Sequence, residues 1–197
     1  MKNDIGGVWR TVGGRRIFIK DGQDLATAMK ESGKFKKDKN DRLKTFNEKT
    51  IERDFNKLNK NVENLIVYNN SKSIQTIKGN SENTVGNLKT LLLFATSKKG
   101  SLVAVHNHPH NSSFSLTDIK TFNRFKSIDT IVVLTDKYYY CLSKNKVEKL
   151  KNKKLVSNYN KLYNNVKKKY GNKTESIHIT NSIFAKKVGW NYEKVER

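Results

Sequence analysis

The chain holds one cysteine, Cys141, and one proline, Pro109. A lone cysteine excludes an internal disulfide and suits a reducing compartment. Cys141 falls in the apolar run Tyr138-Tyr-Tyr-Cys-Leu142, where a free cysteine reads as a small buried hydrophobe. No run is long and apolar enough to span a bilayer. The opening Met1-Lys-Asn-Asp-Ile has no signal-peptide core. A soluble, cytoplasmic protein is expected. Hydrophobic residues make up 35% of the 197 positions, which predicts a modest core. Acidic residues are also scarce: 18 Asp plus Glu face 40 Lys plus Arg, for a formal net charge of +22. That balance favours polyanionic partners such as nucleic acid, although a Lys- and Asn-rich composition also follows from an AT-rich genome.

The chain divides into four expected segments. Residues 1–33 form a small N-terminal unit. In it Arg10 to Ile19 reads as two strands around a Gly13-Gly14 turn, and Asp24 caps a helix from Leu25 to Ser32 that Gly33 ends. Residues 34–45 read as a charged linker. Residues 46–143 are the main domain. Ile51, Phe55 and Leu58 mark one face of a helix. Glu63 opens a strand over Asn64–Tyr68, paired as a hairpin with Ile74–Lys78. Val85–Thr96 reads as a helix with Leu88, Leu91, Leu92 and Ala95 on its apolar side. Ser101–Val105 is a buried central strand. Ser115 and Asp118 form a capping box for a helix with Ile119, Phe122 and Phe125 on its inner face. Asp129–Leu134 and Tyr138–Leu142 make a second hairpin. Residues 144–197 read as a basic helical extension, with Lys144–Lys173 an exposed amphipathic helix, then a strand at Ser176–Thr180 and a short helix near Ile183. The fold class is α/β, a small mixed sheet flanked by helices.

The chemistry concentrates in His106-Asn-His-Pro-His-Asn-Ser-Ser-Phe-Ser-Leu-Thr-Asp118. Three of the chain's four histidines lie within five residues here, directly after the buried strand. Where the strand gives way to a proline-bearing loop, His106 and His108 can converge on one ion, and Asp118 can add an oxygen ligand. Two histidines and a carboxylate, with a water in the fourth position, make an open catalytic zinc site. Such an ion acidifies its water and polarises a carbonyl. A polar turn followed by a helix cap accounts for the same residues without metal.

His-x-His-Pro, a short loop and Ser-x-x-Asp resemble the signature of the JAMM (JAB/MPN) metalloproteases, and His106-Asn-His-Pro109 is closest to the RadC-like form. The resemblance covers about residues 46–143 and includes the order of elements. It implies a JAB/MPN-like fold and a zinc-dependent hydrolase that cleaves a peptide or isopeptide amide in a peptide or protein substrate. His106, His108 and Asp118 would be the metal ligands, Glu63 the proton carrier, and Ser115 a hydrogen-bond donor to the developing oxyanion. Glu82 is the rival base. A base on a strand is better positioned than one on a loop, which favours Glu63. The chain departs from the family in two places. The His108–Asp118 segment is one residue shorter, and Asn111 stands where RadC-like members often carry glycine. His110 has no role in the pattern, and His178 reads as structural or exposed.

The segment Trp9-Arg-Thr-Val-Gly-Gly-Arg-Arg-Ile-Phe-Ile19 resembles segments of tailed-phage head-associated proteins. Two further functions fit the charge. One is a metal-dependent nuclease or phage-type toxin, since a metal-activated water also attacks phosphorus. The other is a non-enzymatic module that binds nucleic acid through the basic surface, without metal and with steep salt dependence.

Overall fold

A computed structural model of the chain describes residues 7–12, 15–20, 48–80, 87–144 and 150–197. Its strands are β1 (Gly7–Val12), β2 (Arg15–Lys20), β3 (Leu65–Asn69), β4 (Lys72–Ile77), β5 (Leu102–Asn107), β6 (Ile128–Leu134), β7 (Tyr138–Lys144) and β8 (Trp190–Glu196). The helices among the described residues are α1 (Glu48–Phe55), α2 (Leu88–Thr96), α3 (Leu116–Arg124), α4 (Asn152–Tyr170) and α5 (Lys173–Val188). The strands form one mixed sheet in the order β2-β1-β8-β7-β6-β5-β3-β4. This is the expected α/β sheet flanked by helices. The expected helix at Leu25–Ser32 and the linker 34–45 lie outside the described residues.

Strand alternation sorts the core into two layers. Leu65, Val67, Leu102, Ala104, Ile131, Val133, Tyr140 and Leu142 face the side covered by α2 to α5. Ile66, Tyr68, Val105, Val132, Leu134, Tyr139 and Cys141 face the other side, where Ile51 and Phe55 of α1 pack. Ile128 shares the first face because the β5–β6 register shifts by one residue between Leu102 and Val103. A bulge of this kind moves every residue beyond it to the opposite phase. The centre of the sheet is a parallel pair, β5 and β6, joined through α3. Ligand sites of such α/β units lie beyond the carboxyl ends of the strands.

Two local expectations are corrected. Ser176–Thr180 lies in helix α5 and is not a strand. Ser176, Thr180 and Phe184 are all buried, and at a spacing of four they fall on one helical face. The Thr180 hydroxyl donates to the Ser176 carbonyl at 2.6 Å, so a buried polar group is satisfied within the helix. In α2, Leu88, Leu91 and Leu92 are 71%, 45% and 54% exposed, and Thr90 and Phe94 are the buried residues. Thr90 tolerates burial because Asn87, the helix cap, accepts from both its backbone N–H (3.0 Å) and its hydroxyl (3.1 Å). Phe94, one turn on, packs against Phe125 with ring centres 5.6 Å apart.

Residues 150–197 are built into the sheet side of the molecule. Leu155, Tyr159, Phe184 and Trp190 join the main core, and β8 pairs with β7 from Tyr138↔Glu196 to Lys144↔Trp190.

Candidate metal centre

Glu63, His106, His108 and Asp118 offer one ligand atom each, and these atoms lie within 4.8 Å of one another. His106 is the penultimate residue of β5, and His108 follows the strand directly. The strand pleat places residues 102, 104, 106 and 108 on one face, so both imidazoles point to the α3 side. The pleat, and not the proline loop, makes them converge. Asp118 arrives from the first turn of α3, where Ser115 caps the helix. The Ser115 hydroxyl accepts from the Asp118 N–H at 3.2 Å, and Asp118 Oδ2 accepts from the Ser115 N–H at 2.7 Å. The capping box read from sequence is therefore also the device that aims a ligand.

The donor separations suit a small cation. His106 Nε2 lies 3.1 Å from His108 Nε2 and 3.3 Å from Asp118 Oδ1, and His108 Nε2 lies 3.5 Å from Asp118 Oδ2. Ligand atoms about 2.0–2.1 Å from a tetrahedral zinc are separated by roughly 3.3 Å. Glu63 Oε1 stands farther out, 3.9 Å from His106 Nε2. The ring chemistry agrees. His108 Nδ1 lies 2.9 Å from the Ser112 carbonyl, which can only accept, so Nδ1 carries a proton, and in the neutral ring the Nε2 lone pair faces the cluster. Two imidazole nitrogens 3.1 Å apart are held together by a proton or a cation between them.

The electrostatics separate the two carboxylates. Burial pushes Glu63 up, against the pull of His106 and His108, and the net shift is upward. Burial also works to raise Asp118, but the charges and hydrogen bonds of His106 and His108 overcome it and hold the carboxyl well below its ordinary range. For His108, burial opposes the charged form, while Asp118, the Ser112 carbonyl and Glu63 favour it, and its pKa is raised. One carboxyl therefore stays ionised against the histidines, while the other binds a proton more readily than usual.

Three residues that position Glu63 escaped the sequence reading. Asn107 Oδ1 accepts from the Asn64 N–H at 2.8 Å, and Asn107 Nδ2 donates to the Val62 carbonyl at 2.9 Å. The Asn64 side chain donates to the Asn59 carbonyl at 2.7 Å. Both amides thereby clamp the segment around Glu63 to the end of β5. Gly79 completes the clamp, because a Cβ there would lie 1.8 Å from the Glu63 carbonyl oxygen. The available signal was the pairing of Asn64 beside Glu63 with Asn107 between the two histidines.

The loop between His108 and Asp118 is tied down by its own hydrogen bonds. Asn111 has φ of +56°, the left-handed region where glycine is usual and asparagine is the commonest substitute. Its side chain accepts from the Asp136 N–H at 2.9 Å and donates to Asp136 Oδ2 at 2.8 Å, tying the loop to the β6–β7 turn. From behind, Asn181 donates to the Phe114 carbonyl at 2.8 Å and to Ser113 Oγ at 3.1 Å. The Tyr192 hydroxyl sits 2.8 Å from both Ser113 Oγ and His178 Nδ1. His178 is thus a packed structural residue.

The chain matches no family model, no curated protein and no solved structure. The site therefore rests on its own geometry, and that geometry makes it a possible metal centre.

The cluster opens into a cavity of about 610 Å³ between α2 and α3. Ser115 and His110 are on its rim, and the Ser115 hydroxyl also donates to Asp118 Oδ2 at 2.8 Å. Among the described residues, no lysine or arginine lines this cavity. Glu82 lies outside the described residues.

Proposed function

We propose that this protein is a zinc-dependent hydrolase of the JAMM type that cleaves a peptide or isopeptide amide bond. The observation that carries the reading is the buried cluster itself: three donors at cation-binding separations, with a proton-accepting carboxyl standing just outside them. His106, His108 and Asp118 would hold the ion. Zinc bound there would supply Lewis acidity toward water and a carbonyl. Other divalent ions also accept imidazole and carboxylate ligands, and the choice of zinc follows ligand type.

The chain's own residues supply the rest. The reaction adds water across the amide: a C–O bond forms at the carbonyl carbon, the C–N bond breaks, and a proton passes from water to the leaving nitrogen. Glu63 is the carrier of that proton. Its raised pKa brings it nearer to the range in which a group can both take and return a proton. Ser115 lies at the cavity rim. Its hydroxyl supports Asp118, and a turn about its side-chain bond would direct it to a substrate oxyanion. The lining favours a carbonyl over a phosphodiester. A site for nucleic acid gathers lysine and arginine around the scissile phosphate, and among the described residues this cavity is lined by neither. The exposed lysines Lys153, Lys154, Lys161, Lys167, Lys168 and Lys169 of α4 support polyanion binding elsewhere on the molecule.

Elemental analysis beside a peptide-library digest tests the reading. About one zinc per chain is expected, lost in a His106→Ala/His108→Ala variant. Glu63→Gln should keep the zinc and lose cleavage. Full activity in that variant would remove Glu63 from the mechanism, and a wild-type chain that takes up no zinc would sink the proposal.

A further inference from the structure

The cavity does more than admit solvent to the ligands. His106 sits at its upper end, and Ala104 follows on the same face of β5, one pleat repeat away. Ile131 lies beside Ala104 in register, and Ile128 beside Leu102. The floor thus descends along β5 and β6 from the metal ligands, at about 7 Å per pleat repeat, the reach of a leucine or phenylalanine side chain. Phe94 walls it on the α2 side, and Leu88 and Leu91 stand at its mouth. The smallest side chain of the floor, Ala104, lies where a substrate group would need most room.

The exposed leucines are the second observation. This chain carries 29% charged residues, yet α2 exposes three leucines, Leu88, Leu91 and Leu92. Exposed apolar clusters on a highly charged surface mark places where apolar matter is bound. Two of the three leucines are continuous with the cavity that ends at the metal ligands.

On the hydrolase reading above, on which this inference rests, we propose that the channel between α2 and α3 is a specificity subsite for a large aliphatic or aromatic group on the acyl half of the substrate. The scissile carbonyl must sit against His106, His108 and Asp118. Its own substituent is then the nearest group to enter the space beside Ala104, Ile131 and Phe94. A cationic side chain would lose its hydration there, with Glu63 and Asp118 already committed to the metal centre, and a short one would leave the channel unfilled.

Titration calorimetry on the zinc-loaded chain tests this without any turnover. The probes are acetohydroxamate, 4-methylpentanohydroxamate, 3-phenylpropanohydroxamate and 6-aminohexanohydroxamate, which share one chelating head and differ in the arm. The isobutyl- and benzyl-type arms should bind roughly thirty-fold tighter than the methyl arm, as burial of several carbon atoms implies. The amino arm should gain nothing. Ala104→Leu, which fills the floor, should erase the preference for the longer arms. Should that variant fold poorly, Leu91→Lys, at an exposed position of the mouth, should reduce the same preference several-fold. Equal affinity for all arms, or tightest binding of the amino arm, would overturn the subsite while leaving the hydrolase reading in place. A chain that binds no zinc would overturn both.

Discussion

Helices α2 and α3 have nine residues each. A side chain caps each of them, Asn87 for α2 and Ser115 for α3, and both border the same cavity. They use their apolar residues in opposite ways. The α3 helix mixes polar and apolar positions, buries Ile119 and Phe122 almost completely, and turns Asp118 to His106 and His108. The α2 helix has four leucines in nine residues, yet it buries only Thr90 and Phe94 and leaves Leu88, Leu91 and Leu92 in the open. Amphipathic pattern settled the orientation of α3, because only one face was apolar. In α2 nearly every face is apolar, so pattern could not choose. The cap, the satisfied hydroxyl of Thr90 and the shape of Phe94 chose instead.

Mutation can break or sharpen this contrast. The largest difference should be in metal affinity. Asp118→Ala is expected to weaken zinc binding at least about 100-fold in a competition titration, beyond the loss typical of supporting residues, whereas Leu91→Lys should leave stoichiometry unchanged. Stability comes next. Phe122→Ala should cost about 3–5 kcal/mol in denaturant unfolding, the range for an aromatic removed from a core. Leu92→Lys should stay within about 0.5 kcal/mol, as exposed positions do. If Leu92→Lys destabilised the fold as much as Phe122→Ala, α2 would have to be a core helix. The caps should be closer to each other: Ser115→Ala and Asn87→Ala each remove about 1 kcal/mol. Only Ser115→Ala should also weaken zinc binding, by roughly ten-fold, because only Ser115 holds a ligand.

The effect confined to acid pH concerns the support behind the α3 loop. Burial, with the charge of Lys194, lowers the His178 pKa to about 4. An unfolded histidine titrates near about 6.5, so between those values the unfolded chain binds the extra proton. Stability from a neutral, buried His178 is therefore present above about pH 6.5 and falls as pH drops toward 4. His178→Phe should flatten the pH dependence of Tm in that window relative to wild type. Parallel Tm profiles for the two proteins would remove His178 from the acid response.

Most of the candidate cluster was legible because its residues are local. His106, His108, Ser115 and Asp118 fall within thirteen consecutive residues, so one strand end, one loop and one helix cap fix their relation. Glu63 was reached through the order of elements. The clamp that aims it was not legible, because Asn64, Gly79 and Asn107 act only after β3 and β5 have paired. The reading of Ser176–Thr180 as a strand failed for a similar reason. Ile177 and Ile179 alternate with polar residues, a short period that a helix end can imitate, and the helix wins because Ser176, Thr180 and Phe184 meet the core together.

The sequence by itself determined the two-faced strands, the capped α3 helix and the donor set, since each depends on spacing along a few residues and on the fixed periods of strand and helix. Tertiary structure alone decided the position of β8 between β7 and β1, the outward leucines of α2, and the channel beside Ala104. Those depend on which surfaces meet across long separations. An apolar residue carries no mark of whether its partner is the core or a ligand.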